Sequence, residues 1–171
     1  MFATHADEPW HRCYRELAPK LLLFARQWMP SQADAEDVVQ AAFVRFWKKH
    51  PAAEREHYPL LYAAVRTIAL DTLRGNDRRI RRENAPEAEV PRDGDPCFDL
   101  AMEQAELAVV VDHSLRQLPG EQREVVVLKL WGDLTFQEIA DMLGAPLNTV
   151  AARYRYALDK LRERMTTYER S

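Results

Sequence analysis

The chain of 171 residues carries 24 lysines and arginines against 27 aspartates and glutamates, a formal net charge of −3, and has room for one medium domain or two small ones. With 47% hydrophobic and 30% charged residues, it is too apolar for a disordered chain and too charged for a membrane protein. Its five glycines form no phosphate-binding motif and its first residues no signal peptide, so we expect a cytoplasmic protein outside most classes of nucleotide-dependent enzyme.

Apolar residues recur every three or four positions before residue 83, which predicts three helices and no strand. The first helix has its apolar face from Trp10 to Trp28, and Pro19 is expected to kink or split it. The second follows Ser31, a typical N-cap residue, and has acidic residues in its first turn. Its predicted inward-facing residues are Val39, Phe43, Phe46 and Trp47. The third runs from about Leu60 to Arg82.

Residues 83–97 contain three prolines, a glycine and several acids without a helical or strand period, which predicts a flexible acidic linker. Arginines dominate the 17 residues before it, where residues 66–82 carry a net charge of +4, whereas residues 83–112 carry −8. A basic stripe of this kind suits a polyanion such as nucleic acid, and a solvated helix surface is the alternative interpretation.

After the linker the pattern predicts a helix over about residues 99–117 and a second that opens at Leu118-Pro119 and ends near Gly132. Thr135 and Glu138 have the spacing of a capping box, which starts a short helix with Phe136 among its inward residues. A turn at residues 144–146 follows, and Asn148 is expected to cap the last helix. A short helix, a tight turn and a longer helix predict a helix-turn-helix, whose second helix enters the DNA major groove in many regulators.

The outward side of the last helix carries polar and basic residues that suit base edges and phosphates. Structural helix hairpins without a role in DNA binding share this geometry and are the alternative. The outward or flanking residues are Asn148, Thr149, Ala152, Arg153, Arg155, Tyr156 and Asp159, with Lys160, Arg162 and Arg164 further along.

Four stretches in this order resemble the group IV, or extracytoplasmic-function, sigma factors of bacterial RNA polymerase: residues 34–47, 61–74, 118–125 and 134–150. The resemblance covers nearly the whole chain. It implies an all-α fold of two small helical domains, a helical bundle like sigma region 2 at residues 1–82 and a helix-turn-helix domain like sigma region 4 at 98–171, joined by the linker at 83–97.

The resemblance also implies functions for particular residues. The second helix would dock on the clamp coiled coil of the polymerase β′ subunit through Asp34, Glu36, Asp37 and Gln40. The third helix and the loop before it, at about residues 49–59, would open the −10 promoter element and hold a flipped base. Its predicted DNA contacts are Arg66, Thr67, Asp71, Arg74, Arg78 and Arg79. Relatives often have Glu where Ala41 stands and Asn where Thr67 stands, so one docking contact and the preferred −10 base are expected to differ.

The last helix would read the −35 element, and its predicted DNA contacts are Asn148, Thr149, Arg153, Arg155, Tyr156 and Lys160. Core polymerase, including its β flap, and promoter DNA are the implied partners, with an anti-sigma factor holding the protein inactive. No catalysis, cofactor or metal is implied. Because the chain ends soon after the last helix, we do not expect control by a fused C-terminal module.

Two other classes remain open. An ordinary helix-turn-helix regulator would bind duplex DNA as a dimer without polymerase, but it leaves the second and third helices unexplained. A metal enzyme or redox sensor would use histidines and cysteines, whose spacings match no compact ligand set. These residues are His5, His11, Cys13, His50, His57, Cys97 and His113.

Overall fold

The computed structural model describes residues 7–83 and 110–169, and every regular element in these ranges is helical. The chain divides into two compact units between Asp93 and Gly94. The first unit contains α1 (Asp7–Ala25), α2 (Gln32–Lys49), a short 3₁₀ helix (Arg55–His57) and α3 (Tyr58–Glu83). The second contains α4 (residues 110–116), α5 (Gly120–Leu130), α6 (Phe136–Leu143) and α7 (Leu147–Glu169). The all-α prediction is therefore confirmed.

The first helix is not split at Pro19, because α1 runs through that residue without interruption. A proline removes one helical hydrogen bond and crowds the preceding turn. Here Leu17, Leu21 and Phe24 are buried on both sides of Pro19. We attribute the continuous helix to this packing, which offsets the local cost of the proline.

Helix α2 begins as the sequence predicted. The Ser31 side chain accepts a hydrogen bond from the Asp34 backbone N–H, at 3.1 Å, and so caps the first turn. Val39, Phe43 and Phe46 are buried, as expected. Trp47 is not, since it is 56% exposed; it lies at the edge of the apolar stripe, where its ring contacts Trp10 instead of the core.

The core of the first unit lies between its three α-helices. Phe24 of α1 contacts Tyr62 of α3 edge to face, with ring centroids 5.6 Å apart, and both side chains are buried. Leu61, Val65 and Ala69 of α3 are also buried. The burial ends before the helix does, because each of residues 74–82 is exposed.

The second unit packs α4 and α5 against α7 through Leu115, Leu118, Val126 and Ala157. Arg164 of α7 also donates a hydrogen bond to the Ser114 carbonyl of α4, at 3.2 Å. Gly132 follows α5 where a Cβ would lie 2.5 Å from the Leu128 carbonyl oxygen, so no other residue fits there without movement.

The helix-turn-helix is formed by α6, its turn and α7. The Thr135–Glu138 capping box is present with both of its hydrogen bonds, and Gly144 ends α6 in the left-handed conformation, with φ of 62°. Phe136 is only half-buried, packing against Tyr154 at the start of α6. Asn148 is not the N-cap: α7 begins at Leu147, because the Pro146 carbonyl already accepts hydrogen bonds from the backbone N–H groups of Thr149 and Val150.

Candidate polymerase and promoter interfaces

The four predicted docking residues all lie exposed on α2, and we call them the docking face (Asp34, Glu36, Asp37 and Gln40). Two of them have partners on the same helix. Asp34 accepts a hydrogen bond from the Ser31 hydroxyl at 2.6 Å, and Glu36 accepts one from the Gln32 amide at 2.9 Å. Asp37 and Gln40 lie one helical turn further along, on the side that points away from the core.

The docking face continues into an apolar surface that the sequence did not reveal. Val44 lies one turn after Gln40 and is 54% exposed, and Trp47 follows at the next turn. Tyr14 of α1 is also exposed, and its ring contacts that of Phe43 in α2 at a centroid distance of 4.9 Å. Apolar side chains such as valine and tryptophan in a helix usually predict core packing. The exposure of Val44 and Trp47 becomes visible only in the folded unit, where α1 covers other residues of α2.

The predicted −10 residues divide into two groups on α3. Thr67, Asp71, Arg74 and Arg78 follow one another at steps of four, three and four, so they share one exposed side of the helix, which we call the arginine face. Arg66 lies beside this face and is half-buried, and Arg79 lies on its other flank.

Contacts within the arginine face are local. Arg74 lies 3.4 Å from Asp71, with both side chains largely exposed, and Arg78 donates to the Arg74 carbonyl at 3.2 Å. The Thr67 hydroxyl donates to the Ala63 carbonyl at 2.9 Å. Exposed ion pairs of this kind contribute little to stability, so the guanidinium groups can exchange these contacts for phosphate oxygens at low cost.

The face extends further along α3 than the six predicted residues. Asp77 and Arg81 are exposed and follow Arg74 and Arg78 on the same side of the helix. The sequence signal was the charge of residues 66–82, which already included Arg81. The predicted contacts ended at Arg79 and left out Arg81, which is exposed one turn after Arg78.

The six predicted −35 residues lie on two adjacent stripes of α7, which we call the recognition face (Asn148, Thr149, Arg153, Arg155, Tyr156 and Lys160). Asn148, Arg155 and Tyr156 are exposed, whereas Thr149, Arg153 and Lys160 are half-buried. The Arg155 guanidinium lies over the Tyr156 ring, 5.3 Å from its centroid. Arg153 is held within the unit, with Nη2 2.8 Å from Oε2 of Glu121 in α5.

The residues of the metal and redox alternative are scattered. Cys13 is buried in the first unit, and burial raises the pKa of its thiol, so it is not a reactive thiolate. His50 and His57 stack with centroids 4.4 Å apart, while His113 is exposed in the second unit. His5 and Cys97 lie outside the described residues.

One group in the described ranges could hold an ion, Glu54, Glu56 and His57, whose ligand atoms lie within 4.8 Å of one another. Both carboxylates are exposed to solvent. No helix within residues 7–83 and 110–169 is long and apolar enough to cross a membrane.

Comparison with known proteins matches both units to parts of one family. Residues 13–79 match the family model for sigma-70 region 2, and residues 114–163 match the model for sigma-70 region 4. The RNA polymerase sigma-E factor of Streptomyces coelicolor is 31% identical over 145 residues, which are 85% of this chain and 79% of that protein. The ECF sigma factor RpoE of Cereibacter sphaeroides is 28% identical over 169 residues, 95% of this chain and 90% of its own length.

A solved structure has a similar fold. The sigma factor RpoE of Bartonella quintana, determined in complex with the anti-sigma factor NepR, is 19% identical to this chain, with a TM-score of 0.69. The match covers 92% of this chain and 96% of the other.

Proposed function

Because this chain belongs to the extracytoplasmic-function branch of the sigma-70 family, we propose that it directs core RNA polymerase to promoters by recognising their −10 and −35 elements. The observation that carries the proposal is the combination in one chain of an exposed acidic face on α2, an exposed arginine face on α3 and a helix-turn-helix. A DNA-binding regulator alone would need only the last of these. We place the −10 function in residues 1–82, the −35 function in 98–171 and the linker at 83–97.

The docking face would bind the clamp coiled coil of the polymerase β′ subunit. Its carboxylates can pair with arginines of a partner through charge-assisted hydrogen bonds, which fix orientation as well as affinity. Val44 and Trp47 would add apolar contact area next to the charged pairs, where a partner helix could cover them.

The arginine face would hold the separated strands of the −10 element. Unstacking one base costs a few kcal/mol, so the protein must provide compensating contacts. Arg74 and Arg78 would bind backbone phosphates, while Thr67 and Asp71 would contact a flipped base. Arg66 and Arg79 would support the same strand from the flanks.

The recognition face would enter the major groove at the −35 element. Asn148 and Arg155 are exposed and have side chains suited to paired hydrogen bonds with bases, and Lys160 is suited to phosphate. We expect modest affinity of the free protein for this element, because polymerase provides further contacts, including those of the β flap.

In this function the chain is not an enzyme. Core polymerase would form the phosphodiester bonds, and this subunit would position polymerase on the promoter and open the strands, in the cytoplasm. We further propose that an anti-sigma factor restrains it, since the Bartonella relative was crystallised with one.

Run-off transcription tests the proposal. Core polymerase of the source bacterium, with and without the purified chain, would be given fragments of the genome, and the start sites would be mapped by sequencing. We expect new start sites that require the chain and share sequences near −10 and −35. A chain that binds duplex DNA as a dimer but neither binds core polymerase nor produces start sites would instead be the helix-turn-helix regulator.

A further inference from the structure

The loop between α2 and α3, residues 50–57, is attached to α1 by Trp10, which lies 41 positions before Pro51 of the loop. The indole Nε1 of Trp10 donates a hydrogen bond of 2.8 Å to the backbone carbonyl of Pro51. This contact reaches the chain at the start of the loop, directly after α2 has ended. It therefore fixes the loop to a helix that contributes no residue to the loop itself.

Aromatic rings continue this attachment across the loop. The Trp10 ring lies edge to face on Phe46 of α2, at 5.6 Å, and Phe46 contacts His50 at 4.8 Å. His50 in turn stacks on His57 at 4.4 Å. Since His50 and His57 are the first and last residues of the loop, the ring contacts join both of its ends to α1 and α2.

The loop needs such support because its backbone is not relaxed. Ala53 has φ of 49°, a left-handed conformation that costs a non-glycine residue about 1 kcal/mol or more. It is nevertheless buried, and its N–H donates to the His50 carbonyl at 3.1 Å. A short segment holds a conformation of this kind only when its surroundings determine it.

We propose that Trp10 is a positioning residue that fixes the α2–α3 loop in the shape that selects the −10 base. The proposal rests on the function proposed above, in which this loop and α3 hold a flipped base. When the pocket is already formed, less binding free energy is lost in ordering the loop. More of it is then available to offset the cost of unstacking the base. Trp10 precedes residues 13–79, the segment matched to region 2, so the attachment is not part of that matched pattern.

The substitution Trp10→Phe tests this, because it removes the indole N–H and keeps an aromatic ring near Phe46. Trp28→Phe is the matched control, because Trp28 is also a half-buried tryptophan of the first unit, and its ring contacts the core residue Phe24 edge to face at 4.9 Å. Both variants would be compared with the wild-type chain as holoenzyme.

The first measurement is run-off transcription on a promoter library with a randomised −10 element, followed by sequencing of the transcripts. We expect Trp10→Phe to lower the preference for the favoured base at the most selective −10 position about three- to tenfold, the range for the loss of one hydrogen bond. Affinity for core polymerase should stay within twofold of wild type. An unchanged preference in Trp10→Phe, or an equal loss in Trp28→Phe, would overturn the proposal.

The second measurement is amide hydrogen exchange of the full chain. We expect residues 52–57 to exchange about three- to tenfold faster in Trp10→Phe while α2 and α3 keep their rates, because one hydrogen bond to the loop is lost. Equal exchange in the loop, or faster exchange throughout the first unit, would refute a role in positioning. Exchange needs no polymerase, so a wild-type chain that starts no transcript would reject the proposed function while the attachment of the loop is still tested.

Discussion

The Nη2 atom of Arg153 lies 2.8 Å from Oε2 of Glu121, so an arginine of the recognition face is bound to a carboxylate of α5. The Arg153 side chain is only 25% exposed, whereas that of Glu121 is 73% exposed. A DNA phosphate that approaches Arg153 therefore meets the negative charge of Glu121 beside it. The pair makes Arg153 different from Arg155, which lies exposed over Tyr156 on the same helix.

We expect Glu121→Gln to strengthen binding of the −35 element about two- to fivefold, because it removes a competing charge whose pairing is worth at most about 1 kcal/mol. Fluorescence anisotropy of a labelled −35 duplex with holoenzyme measures this, and Arg153→Gln should weaken the same binding. If Glu121→Gln weakens it as much as Arg153→Gln does, Arg153 orients α7 and does not touch DNA.

Arg155→Ala should weaken initiation that depends on the −35 element and leave polymerase binding unchanged. One lost phosphate contact reduces the slope of log affinity against log salt by about 0.9, while a lost base contact costs about 1–3 kcal/mol for the preferred sequence only. Run-off transcription at several salt concentrations separates the two. Arg162→Ala is the control, since Arg162 lies on α7 beyond the recognition face and pairs with Asp159. Equal loss of polymerase binding would contradict the division of functions between the units.

Gln40→Ala and Asp37→Asn should lower the affinity for core polymerase without lowering the thermal midpoint of the chain. Both residues are exposed on α2 and take no part in its capping. Native co-purification and competition with a labelled wild-type chain measure the affinity, and each loss should be about fivefold or more if charge-assisted contacts are removed. The control is Arg45→Ala, at an exposed residue of the same helix that is not part of the docking face. Equal affinity of all three variants would remove the docking face from the interface.

Thr135→Ala should destabilise the second unit by about 1 kcal/mol, because the hydroxyl accepts a hydrogen bond from the Glu138 N–H at 3.1 Å. Thr135→Ser keeps the cap and should stay close to wild type. Urea unfolding followed by circular dichroism gives both values. Since α6 supports α7 in the helix-turn-helix, we also expect binding of the −35 duplex to fall in the alanine variant. Identical unfolding midpoints for the two variants would show that the cap contributes nothing.

Local signals in the sequence predicted the helices well. The capping box at Thr135 and the cap at Ser31 involve residues three positions apart, so their chemistry can be read from the chain. Pro19 shows the opposite case. The local effect of a proline predicts an interruption, but α1 continues through it, and we attribute this to the burial of Leu17, Leu21 and Phe24. Asn148 was predicted to be the N-cap of α7 because of its residue type. The helix begins before it, because the Pro146 carbonyl already accepts hydrogen bonds from the N–H groups of Thr149 and Val150.

Contacts between distant residues could not be predicted in this way. The apolar stripe of α2 included Trp47, yet the place of α1 beside Phe43 leaves that ring half outside the core. Arg153 and Glu121 lie 32 positions apart, and Trp10 and Pro51 lie 41 apart, with no pattern that links them. The docking, −10 and −35 residues follow from the resemblance, and their functions stay predictions for the experiments above.

The stability of the first unit should fall as the pH rises above about 9. Burial raises the pKa of the Cys13 thiol above its ordinary value of 9.0, and burial also raises the pKa of Tyr58 above 10.0. A group with a raised pKa binds its proton more tightly in the folded state, so its contribution is complete below the ordinary value and is lost as the pH rises through the folded one.

Urea unfolding followed by tryptophan fluorescence measures this effect, since Trp10, Trp28 and Trp47 all lie in the first unit. We expect the wild-type midpoint to fall as the pH rises above about 9 and to fall less in Cys13→Ala and Tyr58→Phe, which remove the two groups. Tyr14→Phe, at an exposed tyrosine of α1, should retain the wild-type slope. An equal slope in all four proteins would mean that neither buried group determines the alkaline limit of this fold.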